Sequence, residues 1–180
     1  DLKYILSFTE VKTCVVENST QIKKIMNVKN DIPTLKQFII FDQISDEVQS
    51  LCDASNVKIY TFQQILDLGK AFTEKNPNRV NEEIEKGQWD DIAAIIFTSG
   101  TTGTPKGVML THGNFITQLD ELNERIYLFP GDKAVCVLPV WHVFERLVEY
   151  VILSRACAIC YSKPIGSILL ADFQKINPQL

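Results

Sequence analysis

Short apolar runs separated by stretches of helical periodicity recur along the whole of this 180-residue chain, and that alternation restricts the fold more than any other feature. Residues 13–17 (TCVVE), 36–42 (KQFIIFD), 57–60, 92–98 (IAAIIFT), 107–111 (GVMLT), 134–138 and 156–161 read as strands. The runs at 92–98 and 156–161 read as buried ones. Asn18-Ser19-Thr20 offers caps for a helix to about Val28, with Ile22, Ile25 and Met26 on one face. Thr61 opens a helix carrying Phe62, Ile65, Leu66, Leu68 and Phe72, and Thr111 or Asn114 opens one carrying Phe115, Leu119, Leu122 and Ile126. Residues 143–153, with Phe144, Leu147, Val148 and Val151 on one side, and 168–176 complete the helices. Apolar strands alternating with helices predict an α/β fold, a mostly parallel sheet flanked by helices on both faces. The polar stretch 74–88, with Pro77, three asparagines and Glu82-Glu83-Ile84-Glu85-Lys86, reads as a surface loop or connector.

A chain of this length fits one domain and can bury about 70% of its unfolded surface. Its 46% hydrophobic and 22% charged residues are ordinary for a globular protein. A net charge of −4 argues against a nucleic-acid surface, which needs an excess of lysine and arginine. The five cysteines sit mostly among apolar neighbours and read as reduced core residues of a cytoplasmic protein. Cys157 and Cys160 form a C-x-x-C, but Ala158 and Ile159 between them and the lack of a second pair favour a buried strand over a zinc or redox site. No residue is therefore assigned to a metal. No leader or membrane-spanning run is visible. The chain opens on Asp1 rather than Met and stops on Asn177-Pro178-Gln179-Leu180, which reads as a piece of something longer.

Thr98-Ser99-Gly100-Thr101-Thr102-Gly103-Thr104-Pro105-Lys106-Gly107 lies between two strands and holds three glycines, five hydroxyl side chains and one lysine. Glycines let backbone N–H groups approach an anion, hydroxyls add rotatable donors, and a lysine adds a compact positive charge. Together they suit a polyphosphate cradle. The P-loop pattern G-x-x-x-x-G-K-[ST] fails twice, because Pro105 precedes the lysine and Gly107 follows it. The loop also runs into Val108-Met109-Leu110, which suits a strand rather than the helix a P-loop opens. Turn chemistry alone does not account for a lysine and a proline in such a run of small residues.

The stretch from Phe97 to Val108, continuing to Thr111-His112, resembles the signature loop of the adenylate-forming superfamily of acyl-CoA synthetases, luciferases and peptide-synthetase adenylation domains. Leu138-Pro139-Val140-Trp141-His142-Val143-Phe144-Glu145-Arg146 resembles the L-P-x-x-H-V-F-E-R stretch of its long-chain fatty-acid ligase branch, with Trp141 a departure toward a larger residue. The resemblance covers nearly the whole chain, most sharply residues 92–149. It implies that 1–180 is part of the N-terminal AMP-binding domain, with a connector at about 74–90 and the C-terminal lid domain absent.

It further implies a two-step reaction: a fatty-acid carboxylate attacks the α-phosphorus of ATP, and the acyl group of the resulting adenylate passes to the thiol of coenzyme A or an acyl carrier protein. Lys106 is expected as a charge clamp, Thr98, Ser99, Thr101 and Thr102 as hydroxyl donors, and Gly100 and Gly103 as close-approach backbone. His142 is expected to position the carboxylate, Trp141 to shape the acyl pocket, Glu145 and Arg146 to form a local charge pair, and Phe144 to be core. His112 reads as part of a helix start. The family's later Thr-Glu pair that helps hold Mg²⁺, its ribose-binding aspartate and its lid lysine do not occur in this sequence, so the chain alone is expected to have no turnover. A non-catalytic ATP- or acyl-binding relative and a ligase for another acid remain as alternatives. Peripheral membrane contact stays open, since fatty acids partition into bilayers. Acyl chain length, the choice of thiol and the oligomeric state are not legible.

Overall fold

The computed structural model describes residues 1–99 and 103–180. Among them the chain forms two compact units, residues 1–87 with 103–105 and residues 88–99 with 106–180. No helix among the described residues is long and apolar enough to cross a membrane.

In the first unit, strands β1 (Thr13–Val16), β2 (Gln37–Ile40) and β3 (Lys58–Thr61) form a parallel sheet in that order, Cys14 facing Phe38 and Phe38 facing Ile59. Parallel neighbours need crossovers, and helices α2 (Ser19–Met26) and α3 (Asp46–Ala54) supply them, after a short N-terminal helix α1 (Leu2–Phe8). Asn18 caps α2 by accepting from the Gln21 N–H, and Ser45 caps α3 by accepting from Val48. Ile22, Ile25 and Met26 then join Val48, Cys52, Phe38 and Ile40 in one core. Burial alternates along the strands, so Cys14 and Val16 point inward while Val15 stays 57% exposed.

Thr61 starts helix α4 (Phe62–Lys75) with a capping box, its hydroxyl on the Gln64 N–H and the Gln64 carbonyl on its own N–H. The polar stretch beyond is exposed as expected, but it is not all loop: helix α5 occupies Arg79–Lys86. Glu83 sits 2.6 Å from both Arg79 and Lys86, at spacings that join successive helical turns. Charge spacing stabilises a helix there that apolar periodicity does not reveal.

The second unit begins with an antiparallel ribbon of β4 (Ile92–Thr98) and β5 (Lys106–Thr111). The sequence predicts a buried strand at 92–98, yet Ile92 is 54% and Ile95 39% exposed. The ribbon has only two strands, and helix α6 (His112–Asn123) follows directly from β5, so much of its apolar surface is left uncovered. Strands β6 (Lys133–Cys136) and β7 (Ala158–Tyr161) pair in parallel through the crossover helix α7 (Val143–Ser154), and helix α8 (Gly166–Ile176) follows. Leu128, Ala134, Cys136, Ile152 and Cys157 form this unit's core. All five cysteines are free, and four are buried, Cys160 only partly. The fold is thus α/β with parallel sheets flanked by helices, and the β4–β5 ribbon is its antiparallel member.

Helices α1, α3 and α7 end alike, each on a left-handed residue that is not glycine: Glu10 (φ 48°), Asn56 (φ 52°) and Ala156 (φ 55°). At the end of α7 the Cys157 N–H donates to the Ile152 carbonyl and the Ala156 N–H to that of Leu153, both at 3.0 Å. This is the Schellman pattern, with Cys157 and Ile152 brought together in the core. Left-handed backbone costs a residue with a Cβ roughly 1–2 kcal/mol, and glycine pays more chain entropy but no such strain. Ala156→Gly is therefore expected to raise stability by about 1 kcal/mol in chemical denaturation, and an unchanged or lowered midpoint would refute the strain at this cap.

Candidate functional site

The glycine- and threonine-rich stretch of the sequence joins β4 to β5, which pair antiparallel. Cross-strand register places Phe97 opposite Gly107 and Thr98 opposite Lys106, so the two legs present a hydroxyl and an ammonium side by side at the mouth of the turn. Thr98, Ser99 and Lys106 are all exposed. Gly103 has φ +84°, while a Cβ built there would meet nothing within 4 Å. The backbone conformation, not crowding, calls for glycine. Gly107 differs: a Cβ would lie 3.0 Å from Ile95 Cγ2 and 3.2 Å from the Phe97 ring, which covers it from the facing strand. Gly100, Thr101 and Thr102, also expected in the phosphate grip, lie outside the described residues.

Beyond the ribbon, Thr111 caps α6. Its hydroxyl accepts from the Asn114 N–H at 3.2 Å, and Asn114 Oδ1 accepts from the Thr111 N–H at 2.9 Å. The two residues that the sequence offered as rival starts therefore act together. His112 donates its N–H to the Asp91 carbonyl and Gly113 to that of Trp89. Those donors are thereby satisfied inside the unit, and His112 belongs to the helix start. A Cβ on Gly113 would fall 2.1 Å from Trp89 Nε1, a packing demand that no motif announced.

His142 is the N-cap of α7. Its Nδ1 accepts from the Phe144 N–H at 3.2 Å, and its own N–H donates to Pro139 at 2.8 Å, closing the turn that carries Trp141. With Nδ1 used as acceptor, the neutral ring carries its proton on Nε2 and offers a donor to solvent. Trp141 is 74% exposed on the same turn. A pocket of about 650 Å³ lies at the far end of α7, lined by Ile126, Phe129, Pro130 and Arg155 among others. None of the residues expected to carry chemistry lines it.

Two expectations beside His142 need correction. Phe144 is 54% exposed rather than core, because it follows the cap on the outer side of the first turn. Glu145 does not pair with Arg146 on the surface: it is 3% exposed, and its Oε1 has no hydrogen-bond partner among the described residues. Residues at successive helical positions do not face each other, and α7 turns Glu145 toward β6.

The family model for AMP-binding enzymes matches residues 1–180. Over 179 residues the chain is 27% identical to the peroxisomal long chain acyl-CoA synthetase 6 of Arabidopsis thaliana, covering 98% of this chain and 24% of that protein. It is 29% identical over 183 residues to human long-chain-fatty-acid–CoA ligase 1, covering 98% and 25%. A chloroplastic long-chain-fatty-acid–[acyl-carrier-protein] ligase of Arabidopsis thaliana is 31% identical over 155 residues, covering 84% and 21%. The chain thus spans about a quarter of the length of these relatives. Among solved structures, a red-emitting luciferase from Phrixothrix hirtus superposes with TM-score 0.64 at 17% identity, covering 98% of this chain and 32% of that one. An ATP-bound RpMatB–BxBclM chimera superposes with TM-score 0.62 at 21% identity, covering 98% and 30%. The fold is that of adenylate-forming enzymes.

Capping by His142 makes a separable claim. His142→Ala removes the acceptor and is expected to cost about 1 kcal/mol, whereas His142→Asn keeps a capping oxygen and should cost a few tenths at most. Equal losses in thermal or urea unfolding would show that the ring's role at α7 is not capping.

Proposed function

The chain belongs to the AMP-binding enzyme family, and from that premise we propose that it supplies the pyrophosphate grip of an enzyme that activates a long-chain fatty acid as its acyl-adenylate and hands it to a thiol. The observation that carries this reading is the ribbon register, which sets Thr98 against Lys106 across the turn. When a carboxylate oxygen attacks the α-phosphorus of ATP, the bond to the bridging oxygen breaks and pyrophosphate leaves with growing negative charge. An ammonium and a hydroxyl held on a two-stranded scaffold meet that charge with little reorganisation, which is where electrostatic stabilisation acts best. Ser99, Gly100, Thr101, Thr102 and Gly103 complete the grip.

His142, with its Nδ1 used in the cap, serves as a donor through Nε2 toward the acid's carboxyl oxygen. That suits a positioning role in this reading rather than a general base. Trp141 lies on the same turn and would narrow the acyl site. Adenylate-forming enzymes use ATP with Mg²⁺. Residues 98–107 contain hydroxyls and a lysine but no carboxylate, so they fit a polyphosphate and leave the ion's principal ligand to another part of the enzyme. Coenzyme A and an acyl carrier protein are both named among the relatives, and either suits the thiol step.

In the enzyme that contains this chain, Lys106→Ala should slow fatty-acid-dependent ATP–pyrophosphate exchange by about a hundredfold or more with folding intact. Full exchange in that variant would end the loop assignment. The 180-residue chain by itself is expected to give no exchange with palmitate, since the later Thr-Glu pair and the lid lysine are not in its sequence. Clear exchange from it would mean that the grip suffices for the first half-reaction.

A further inference from the structure

The buried Glu145 belongs to a cluster that the reading above does not use. Cys136 is the last residue of β6, and β7 ends opposite it on Tyr161. Glu145 and Glu149 stand one helical turn apart on α7, the helix that joins those strands. One ligand atom from each of Cys136, Glu145 and Glu149 lies within 4.8 Å of the other two. The cluster therefore sits at the carboxyl ends of parallel strands, where α/β folds place their ligands.

Taken as a purely structural arrangement, the cluster is costly. Like charges at this helical spacing repel, and a carboxyl group removed from water needs a partner. Glu145 Oε1 has none among the described residues, and the ion pairs formed there include neither Glu145 nor Glu149. The Cys136 thiol lies against the Glu145 carboxyl. Tyr161 donates its hydroxyl to Glu149 Oε1 at 3.0 Å, as an outer residue does when it orients a metal-binding carboxylate.

We propose that Cys136, Glu145 and Glu149 form a site for one divalent cation of zinc type. A thiolate with two carboxylates suits a borderline ion better than Mg²⁺ or Ca²⁺, which prefer oxygen throughout. Tetrahedral ligands at ordinary zinc distances stand about 3.6 Å apart, so the three donors need to close by only about 1 Å. On binding, the Cys136 S–H bond gives way to an S–metal bond and its proton leaves to solvent. The ion would tie α7 to the end of β6. The ligands come from two elements and share no short spacing pattern, so no motif in the sequence marks them.

The probe is Co²⁺ added to the full chain after chelator treatment. One equivalent should bind with a near-ultraviolet thiolate-to-cobalt charge-transfer band. Cys136→Ser should abolish that band, and Glu149→Gln, a milder change at a part-exposed position, should weaken binding roughly tenfold or more, with circular dichroism reporting folding of each. Zinc-edge X-ray absorption of the unaltered Zn²⁺-loaded chain gives a readout that needs no variant, with one sulfur and otherwise oxygen neighbours expected. Absence of the band, equal Co²⁺ binding by the chain and Glu149→Gln, or a zinc shell without sulfur would each overturn the site.

Discussion

Two parallel strands cannot be joined by a tight turn, and that constraint organises most of this structure. Every parallel step needs a crossover that returns the chain to the same end of the sheet. Helices α2, α3 and α7 are those crossovers, and α3 and α7 stop within three residues of the strands they lead to. The β4–β5 ribbon is exempt, because antiparallel strands need no return path. The paired legs fix where Thr98 and Lys106 stand.

Stopping a helix promptly accounts for its left-handed ends. Val57 and Cys157 each donate back into the last turn of the preceding helix, at 2.9 Å to Cys52 and 3.0 Å to Ile152. In each case the donor and the residue it reaches are both core members. The strain at Asn56 and Ala156 is thus tolerated because burial beside it is worth more: fully burying a side chain of this kind contributes about 1.5–3 kcal/mol.

Legibility in the sequence followed the kind of signal that each feature leaves. Strands and helices with apolar spacing, such as 13–16, 19–26 and 37–40, were readable because burial of one face imposes that spacing. Helix α5 was not, since its spacing is written in Arg79, Glu83 and Lys86 rather than in apolar residues. The cap at Thr111 was readable, but Trp89 closing over Gly113 was not, because a contact between residues so far apart leaves no local pattern. The loop and the turn before α7 were readable as motifs. Glu145 was misread, because two adjacent opposite charges suggest a pair, whereas a helix sends them in different directions.

That divergence gives α7 two chemically distinct ends of its first turns. At the cap, His142 holds the Phe144 N–H and keeps its outer nitrogen for solvent. At the third helical position, Glu145 turns inward beneath the same N-terminus, where the helix dipole favours negative charge by up to about 2 kcal/mol when partly buried. The dipole falls off within a turn, so Glu149 receives little of it and relies on the Tyr161 hydroxyl. Neither contribution supplies a partner for Glu145 Oε1. A helix start that stabilises one buried carboxylate while leaving an oxygen of it unpaired, beside a thiol at a strand end, is short of positive charge at one definable point.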